Sequence, residues 1–205
     1  MKVSNVRIYG LEESIVASGY PMFEKPLSED IFEQLLFDFE MDETIHQENH
    51  HLKRAINLGK TPPLSGHNNY QNGIIVQFDV DFTIKCWTEA ERYHFLDFVS
   101  SMSTMHKLTK FDLDEAYISH VDKRMIEVMK ELQQEYNNNP TTENYLNLIY
   151  SNPVGMKLTA RMTTNYRQLA TIYSQRKNHK LPEWREFCEW IASLPYFKQL
   201  NGLED

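Results

Sequence analysis

The densest concentration of groups that could bind an anion lies in the segment TNYRQLATIYSQRKNHKLPEW. Its arginines, Arg167 and Arg176, are nine residues apart. On a helix this separation is about 13 Å along the axis, and we expect the two side chains to project within roughly a right angle of each other. Guanidinium groups bind phosphate or a planar polar edge in a bidentate manner, and the Asn165 amide can both donate and accept hydrogen bonds. The segment is therefore either an anion-binding helix or an ordinary solvated helix.

Several common chemical motifs are absent from the sequence. It has no Gly-rich phosphate loop, no Gly-x-Ser-x-Gly element and no Cys-x-x-Cys pair. His46 and His50 would lie one helical turn apart and could face one metal ion, but the residues between them offer no third ligand. Because zinc normally needs three or four protein ligands, we interpret this segment as a solvated helix face and expect no metal site.

Two further polar segments are open to more than one interpretation. SSMSTMH, residues 100–106, contains Ser101 and Ser103. It is either the end of a helix with capping hydroxyl groups or a loop that contacts a ligand. In ERYHF, Arg92 could form a weak, exposed ion pair with a neighbouring glutamate.

Charge and composition exclude several broad classes of protein. The 205 residues include 21 basic and 29 acidic side chains, which give a net charge of −8. Non-specific binding to nucleic acid or to an anionic membrane needs a cationic surface, so we expect neither. No apolar run approaches the roughly 20 residues that cross a bilayer, and the first residues lack the apolar core of a signal peptide. We therefore expect a cytoplasmic protein in which Cys86 and Cys188 are buried, reduced thiols.

The elements that must position these side chains follow from hydrophobic periodicity and capping residues. The pattern predicts three strands, at residues 3–9, 74–84 and 156–164. It predicts helices at residues 28–39, 42–58, 86–99, 114–136, 165–176 and 183–194, and a further short helix that Thr141 or Thr142 caps. A long loop covers residues 59–73, and loops of this length are often functional. Without repeats or a low-complexity linker, we predict one α+β domain over residues 1–205.

The spacing in the opening segment resembles the C-terminal signature of the flavin-dependent thymidylate synthases, the ThyX-type family. In that family a strand leads into Asn-Ala-Arg-Ser-Leu, and another arginine follows seven residues after the leucine. Asn165, Arg167 and Leu169 match in order, and Arg176 lies at the required distance. Trp184 matches a later tryptophan of the family after a shift of one residue.

A second block, GHNNYQNGIIVQFDVDFTIKCWTEAERYHF, resembles an upstream part of the same family. His67 aligns with the histidine of a His-x-x-x-Phe-x-His segment, and Arg92 aligns with the first arginine of an Arg-His-Arg signature. The two blocks occur in the family's order along the chain. The sequence departs from the family where Arg-His-Arg becomes Arg92-Tyr93-His94, and the Asn-Glu and Arg-Tyr pairs of the next motif are missing.

The resemblance implies a ThyX-like α+β fold, with a mixed or antiparallel sheet packed against long helices, in a homotetramer. It implies a pyrimidine nucleotide such as dUMP as the substrate and FAD as the cofactor. NADPH and methylenetetrahydrofolate would be needed only if the family reaction is retained. Arg176 would also stabilise charge that develops on the pyrimidine ring. The residues implied are Arg92, Ser101, Ser103, Arg167 and Arg176 for the substrate, and His67, His94 and Asn165 for the flavin.

Two functions remain open at this point. The first is a flavin-dependent enzyme that modifies a pyrimidine nucleotide, by methylation of dUMP or a related reaction, in the cytoplasm of a bacterium or a phage-infected cell. The alternative is a catalytically inactive ThyX-like protein that binds a nucleotide or another protein. The collinear blocks favour the enzyme, and the altered Arg92-Tyr93-His94 favours the binding protein. A fold alone does not decide between them.

Overall fold

The computed structural model describes residues 1–40, 49–61 and 66–203. The strands in these ranges are β1 (Lys2–Tyr9), β2 (Ile75–Thr83), β3 (Asp97–Ser101) and β4 (Lys157–Asn165). The helices are α1 (Leu11–Ala17), α2 (Glu29–Glu40), α3 (His50–Gly59), α4 (Ile84–Ala90), α5 (Thr104–Lys107), α6 (Lys123–Asn138), α7 (Thr142–Tyr150), α8 (Tyr166–Arg176), α9 (Pro182–Ala192) and α10 (Phe197–Leu200). The described helices are too short or too polar to span a bilayer.

The four strands form one antiparallel sheet in the order β1-β2-β4-β3. Two backbone hydrogen bonds fix how β4 lies along β2. The Ile84 N–H donates to the Met156 carbonyl over 3.0 Å, and the Tyr166 N–H donates to the Ile74 carbonyl over 3.1 Å. In an antiparallel pair with a constant register, the numbers of facing residues have a constant sum. The sum is the same for both hydrogen-bonded pairs, so β2 and β4 keep one register. The predicted α+β fold with an antiparallel sheet is confirmed.

The side chains of β2 alternate between two environments, as the period of a strand requires. One face carries apolar residues that are fully buried, and the other carries polar residues that are half-buried. The buried residues are Val76, Phe78, Val80 and Phe82, and the polar ones are Gln77, Asp79 and Asp81.

The chain forms two compact units, and the boundary between them crosses β1, β2 and β4. The first unit comprises residues 1–5 and 78–162. Its core is a cluster of Leu108, Leu113, Tyr117, Met129, Leu148 and Met156. On its polar sheet face the Arg161 guanidinium donates to the Asp79 carboxylate over 3.2 Å. The single domain over residues 1–205 stays a prediction.

The second unit comprises residues 6–77 and 163–205. Its core contains many large aromatic rings, such as Tyr166 and Phe197, whose centroids are 5.4 Å apart. At the end of α3, Gly59 lies so close to the Leu200 carbonyl that a Cβ at this position would overlap its oxygen. The buried Gln71 side chain donates to the same carbonyl over 2.7 Å. This contact brings the end of α10 against the end of α3.

Two predicted helices are wrong in extent. The helix predicted at residues 86–99 ends at Ala90, and β3 follows after a turn in which Phe95 has a φ of 64°. The helix predicted at residues 114–136 begins only at Lys123, after the N-cap Asp122. In both places the chain pairs with β4 or with the residue before it, and such non-local contacts override local helix propensity. For the helix predicted at residues 42–58, residues 42–48 lie outside the described residues.

Arg54 binds the C-terminal end of α1 from within the second unit. Its guanidinium donates to the Val16 carbonyl over 3.0 Å and to the Ser18 hydroxyl oxygen over 3.2 Å. It also lies 2.9 Å from His51 Nδ1. The guanidinium can only donate, so His51 is the acceptor and is neutral here. Burial, together with the charges of His50 and Arg54, lowers the pKa of His51 from 6.5 to about 4.

Protonation of His51 should destabilise the protein. Its folded-state pKa lies below the unfolded value, so the unfolded chain binds more protons between pH 4 and pH 6.5. The free energy of unfolding should therefore fall as the pH falls through this window, by at most about 1.4 kcal/mol per pH unit for one proton. Urea unfolding at a series of pH values measures this dependence. The free energy of unfolding should change less steeply with pH in His51→Gln than in the wild type. His120→Gln removes an exposed histidine and is the control, and equal slopes for all three proteins would contradict the prediction.

Candidate anion-binding site

Strand β4 runs directly into helix α8, and Asn165 lies at the junction. Asn165 has an extended backbone, and its side-chain oxygen accepts a hydrogen bond from the Gln168 N–H over 2.9 Å. This is the geometry of an N-cap, which satisfies one of the free N–H groups at the start of a helix. The side-chain oxygen of Asn165 is thus already hydrogen-bonded, so a ligand would contact the side-chain NH₂ group.

Arg167 and Arg176 project from opposite sides of α8, so the expected right angle between them is wrong. Nine residues at about 100° each complete two and a half turns of a helix. Arg167 extends outward and its Nη1 donates to the Asn69 side-chain oxygen. Arg176 lies over the ring of the fully buried Trp184, with its Cζ 4.8 Å from the ring centroid. A single ligand on one side of α8 therefore cannot contact both guanidinium groups of one subunit.

The outward side of α8 forms one wall of a cleft in the second unit. The cleft has a volume of about 460 Å³, within the usual range for a small-molecule site. We call it the cationic cleft. It is lined by Gly59, Lys60, Thr61, Asn68, Arg167, Ala170, Thr171, Tyr173, Ser174, Lys177, Asn201, Gly202 and Leu203.

The lining of the cationic cleft is positively charged in an acidic protein. It contains Lys60, Arg167 and Lys177, and no carboxylate is present among the lining residues that the structure describes. The Asn68 side-chain oxygen is buried and has no hydrogen-bond partner within the described ranges. Concave sites of one charge sign concentrate ligands of the opposite sign. The cationic cleft therefore suits an anion that also carries a hydrogen-bond donor.

Arg176 belongs to the packing between α8 and α9 rather than to the lining of the cationic cleft. Its side chain is half-buried, and contact with an aromatic face holds the guanidinium in place. The Cys188 thiol is also buried in this region, and burial raises the pKa of Cys188 to about 11, although the Arg176 charge opposes the shift. Cys188 and Cys86 are buried and free of disulfides, as predicted.

The predicted residues of the first unit are more dispersed. Arg92 and His94 are exposed in the turn after α4. The ion pair that Arg92 could form with a neighbouring glutamate is not found among the described residues, and Glu89 pairs with Lys85 over 2.9 Å. Neither side chain lines the cavity that is formed in this unit between α4 and β3.

That cavity has a volume of about 410 Å³ and a largely apolar lining. Of the predicted residues, Ser101 lines it and Ser103 does not. Ser103 precedes α5, and its hydroxyl lies 2.9 Å from His106 Nδ1. The interpretation of this segment as a helix end with capping hydroxyl groups is wrong for Ser101, which is the last residue of β3. Ser103 is the N-cap residue of α5, but its side chain makes no capping hydrogen bond.

The remaining predicted residue, His67, lies in the second unit. It is exposed in the turn that precedes Asn68 and does not line the cationic cleft itself. Sequence reasoning missed Lys60, Lys177 and Asn201, which reach the cleft from separate parts of the chain. Two signals were present, since Lys60 is the second residue of the predicted long loop and Lys177 directly follows Arg176.

Among the solved structures that share the fold of this chain are two of the flavin-dependent thymidylate synthase ThyX. One is the flavin-dependent thymidylate synthase ThyX from Helicobacter pylori complexed with FAD and dUMP, with 13% sequence identity and a TM-score of 0.66. The other is ThyX from Helicobacter pylori with FAD and dUMP, with 16% identity and a TM-score of 0.67. Each match covers 98% of this chain and 97% of the other chain. No family model matches the sequence, and neither does any curated protein. At this level of identity the likeness shows the fold, and it confirms the ThyX-like fold that the sequence predicts.

The two arginines of α8 should contribute differently to stability. Arg176→Ala removes a half-buried cation–π contact and should lower the free energy of unfolding by about 1 kcal/mol. Arg167→Ala removes an equally half-buried side chain that contacts the exposed Asn69, not an aromatic ring, and should change it by less than about 0.5 kcal/mol. Urea unfolding of both variants at neutral pH measures the difference. A larger loss for Arg167→Ala than for Arg176→Ala would show that the two sides of α8 have been assigned wrongly.

Proposed function

We propose that this chain binds a phosphate-bearing nucleotide in the cationic cleft, and that it is a flavin-dependent enzyme acting on a pyrimidine nucleotide. The observation that carries the proposal is the cluster of Lys60, Arg167 and Lys177 around one cleft in a protein of net charge −8. The ThyX structures with the same fold contain FAD and dUMP. Both of these ligands carry phosphate groups, which the cluster can neutralise.

The residues of the cationic cleft fit the anionic part of such a ligand. Lys60 and Lys177 would act as point charges, whereas the planar Arg167 could bind two phosphate oxygens at once. The buried oxygen of Asn68 would accept from a ribose hydroxyl or an amino group of a base. When bound, a reduced flavin supplies hydride, and the protein binds and orients the reacting groups.

The opposite sides of α8 suggest two ligand positions rather than one. We assign Arg167 to the flavin phosphates, in the cationic cleft. We assign Arg176 to the pyrimidine substrate, and it would stabilise the charge that develops on the pyrimidine ring. Asn165 and His67 lie at the start of α8 and beside the cleft, where we propose that they contact the flavin. We keep Arg92, Ser101 and Ser103 as proposed contacts of the substrate, and His94 as a proposed contact of the flavin. The chain would form a symmetric homotetramer in the cytoplasm.

The altered signature supports a second candidate function. Arg92-Tyr93-His94 replaces the Arg-His-Arg of the family, and both Arg92 and His94 are exposed on a turn. A protein that keeps the cationic cleft but lacks the Arg-His-Arg signature would bind a nucleotide without the reaction. NADPH and methylenetetrahydrofolate would then have no role.

Flavin binding separates the two candidates. The purified protein, incubated with FAD and freed of excess ligand, should retain the visible absorbance of oxidised flavin if it is the proposed enzyme. Loss of this absorbance in Arg167→Ala, with retention in Lys53→Ala, would assign the flavin phosphates to the cationic cleft. A protein that stays colourless after incubation with FAD contradicts the enzyme.

Nucleotide binding is measured independently by thermal unfolding with and without dUMP. At a ligand concentration of 100 times Kd, binding stabilises the folded state by about 2.7 kcal/mol. We expect this stabilisation to disappear in Arg176→Ala and to persist in Lys53→Ala, in which an exposed lysine of α3 outside the cationic cleft is lost. If neither dUMP nor FAD stabilises the wild type, the chain does not bind nucleotides and a protein partner becomes the better explanation.

A further inference from the structure

Strand β3 lies at one edge of the sheet and exposes apolar side chains. It pairs with β4 on one side, and the sheet has no further strand beyond it among the described residues. All five residues of β3 are exposed. Phe98 is 43% exposed and Val99 is 57% exposed, and the adjacent Met102 is 44% exposed. An open edge of this kind presents backbone N–H and C=O groups to another strand.

The edge lacks the common features that prevent pairing with another chain. Natural edge strands often carry lysine or proline, which disfavour the approach of a second strand. The sequence of β3, Asp-Phe-Val-Ser-Ser, contains neither, and its single charge lies at the first position. The backbone of β3 is therefore open to pairing, and the exposed Val99 side chain would contact the side chain opposite it on a second strand.

The direction of the free backbone groups follows from one hydrogen bond. The Met102 N–H donates to the Thr159 carbonyl of β4 over 2.9 Å. In an antiparallel pair, successive residues direct their N–H and C=O groups to alternate sides of the strand. Every second residue before Met102 therefore also faces β4, and the others direct their groups toward the open edge. The outward residues are Asp97, Val99 and Ser101.

We propose that β3 pairs with β3 of a second copy of this chain, antiparallel about a two-fold axis at Val99. In this register Val99 faces Val99 of the partner subunit. Asp97 faces Ser101 of the partner subunit, where the carboxylate can accept a hydrogen bond from the hydroxyl group. All three outward residues then find partners and no like charges oppose each other, which favours the pairing. Any other register leaves at least one outward residue unpaired.

The inference names the contact surface of the proposed symmetric oligomer and does not depend on ligand binding. A closed two-fold contact uses the same surface on both subunits, and β3 meets this condition because its outward residues are complementary to themselves. Failure to bind FAD or dUMP would contradict the proposed function but would leave the β3 pairing intact. The two proposals can therefore fail separately.

A charged residue at the two-fold axis should break the pairing. In Val99→Lys two ammonium groups would oppose each other, so analytical ultracentrifugation should show a species of about half the wild-type mass. Val154→Lys is the matched control, because Val154 lies in the same unit, is 59% exposed and is outside β3. Circular dichroism checks that both variants are folded. A wild type that is monomeric at all concentrations, or equal masses for the two variants, would overturn the proposal.

A disulfide test covers the case in which Val99→Lys does not fold. Paired residues that exchange hydrogen bonds across an antiparallel pair have Cα atoms about 5.5 Å apart, a distance that a disulfide can bridge. Mild oxidation of Val99→Cys should give a covalent dimer on a non-reducing gel, and Val154→Cys should remain a monomer. The native Cys86 and Cys188 are buried and should not interfere. Equal cross-linking in both variants, or none in Val99→Cys, would contradict the two-fold axis at Val99.

Discussion

The register of β4 along β2 is the constraint on which the rest of the second unit depends. A shift by one residue would turn every side chain of β4 to the opposite face of the sheet. Because α8 begins where β4 ends, the same shift would rotate the start of the helix. The hydrogen bond from Tyr166 to Ile74 holds the junction in place. The position of Asn165 as N-cap, and hence of every cation on α8, follows from this one pairing.

Helix α8 separates two kinds of arginine by its periodicity alone. One side packs Tyr166, Leu169 and Ile172 into the core, and the last turn places Arg176 against the Trp184 ring on the same side. The other side carries Arg167 into a cleft with two lysines. The first guanidinium is held by packing and has limited freedom, while the second lies in a concave, cationic environment that an anion would neutralise. Two residues of the same type thus acquire different chemistry from their positions on one helix.

Local patterns predicted the elements whose stability is local, and missed those that depend on distant partners. The alternation in β2 and the helix α8 both follow from patterns in consecutive residues, so both were predicted. β3 was missed because its residues Asp97 to Ser101 follow helix-forming residues, and only pairing with β4 makes them a strand. Resemblance to a family predicted the fold, which the solved structures confirm, and it singled out Arg167, which lines the cationic cleft. The cleft itself could not be predicted, because Lys60 and Asn201 meet Arg167 only in three dimensions.

The contact between Gly59 and Leu200 has a consequence for the order of events during synthesis. Lys60 and Asn201, which follow these two residues, both line the cationic cleft and are separated by most of the chain. Contacts of such long sequence separation form late, since the entropy of closing the intervening loop must be overcome first. On the ribosome, α3 and β2 emerge well before α10 does. The cationic cleft therefore completes last, after the sheet core of the nascent chain has formed.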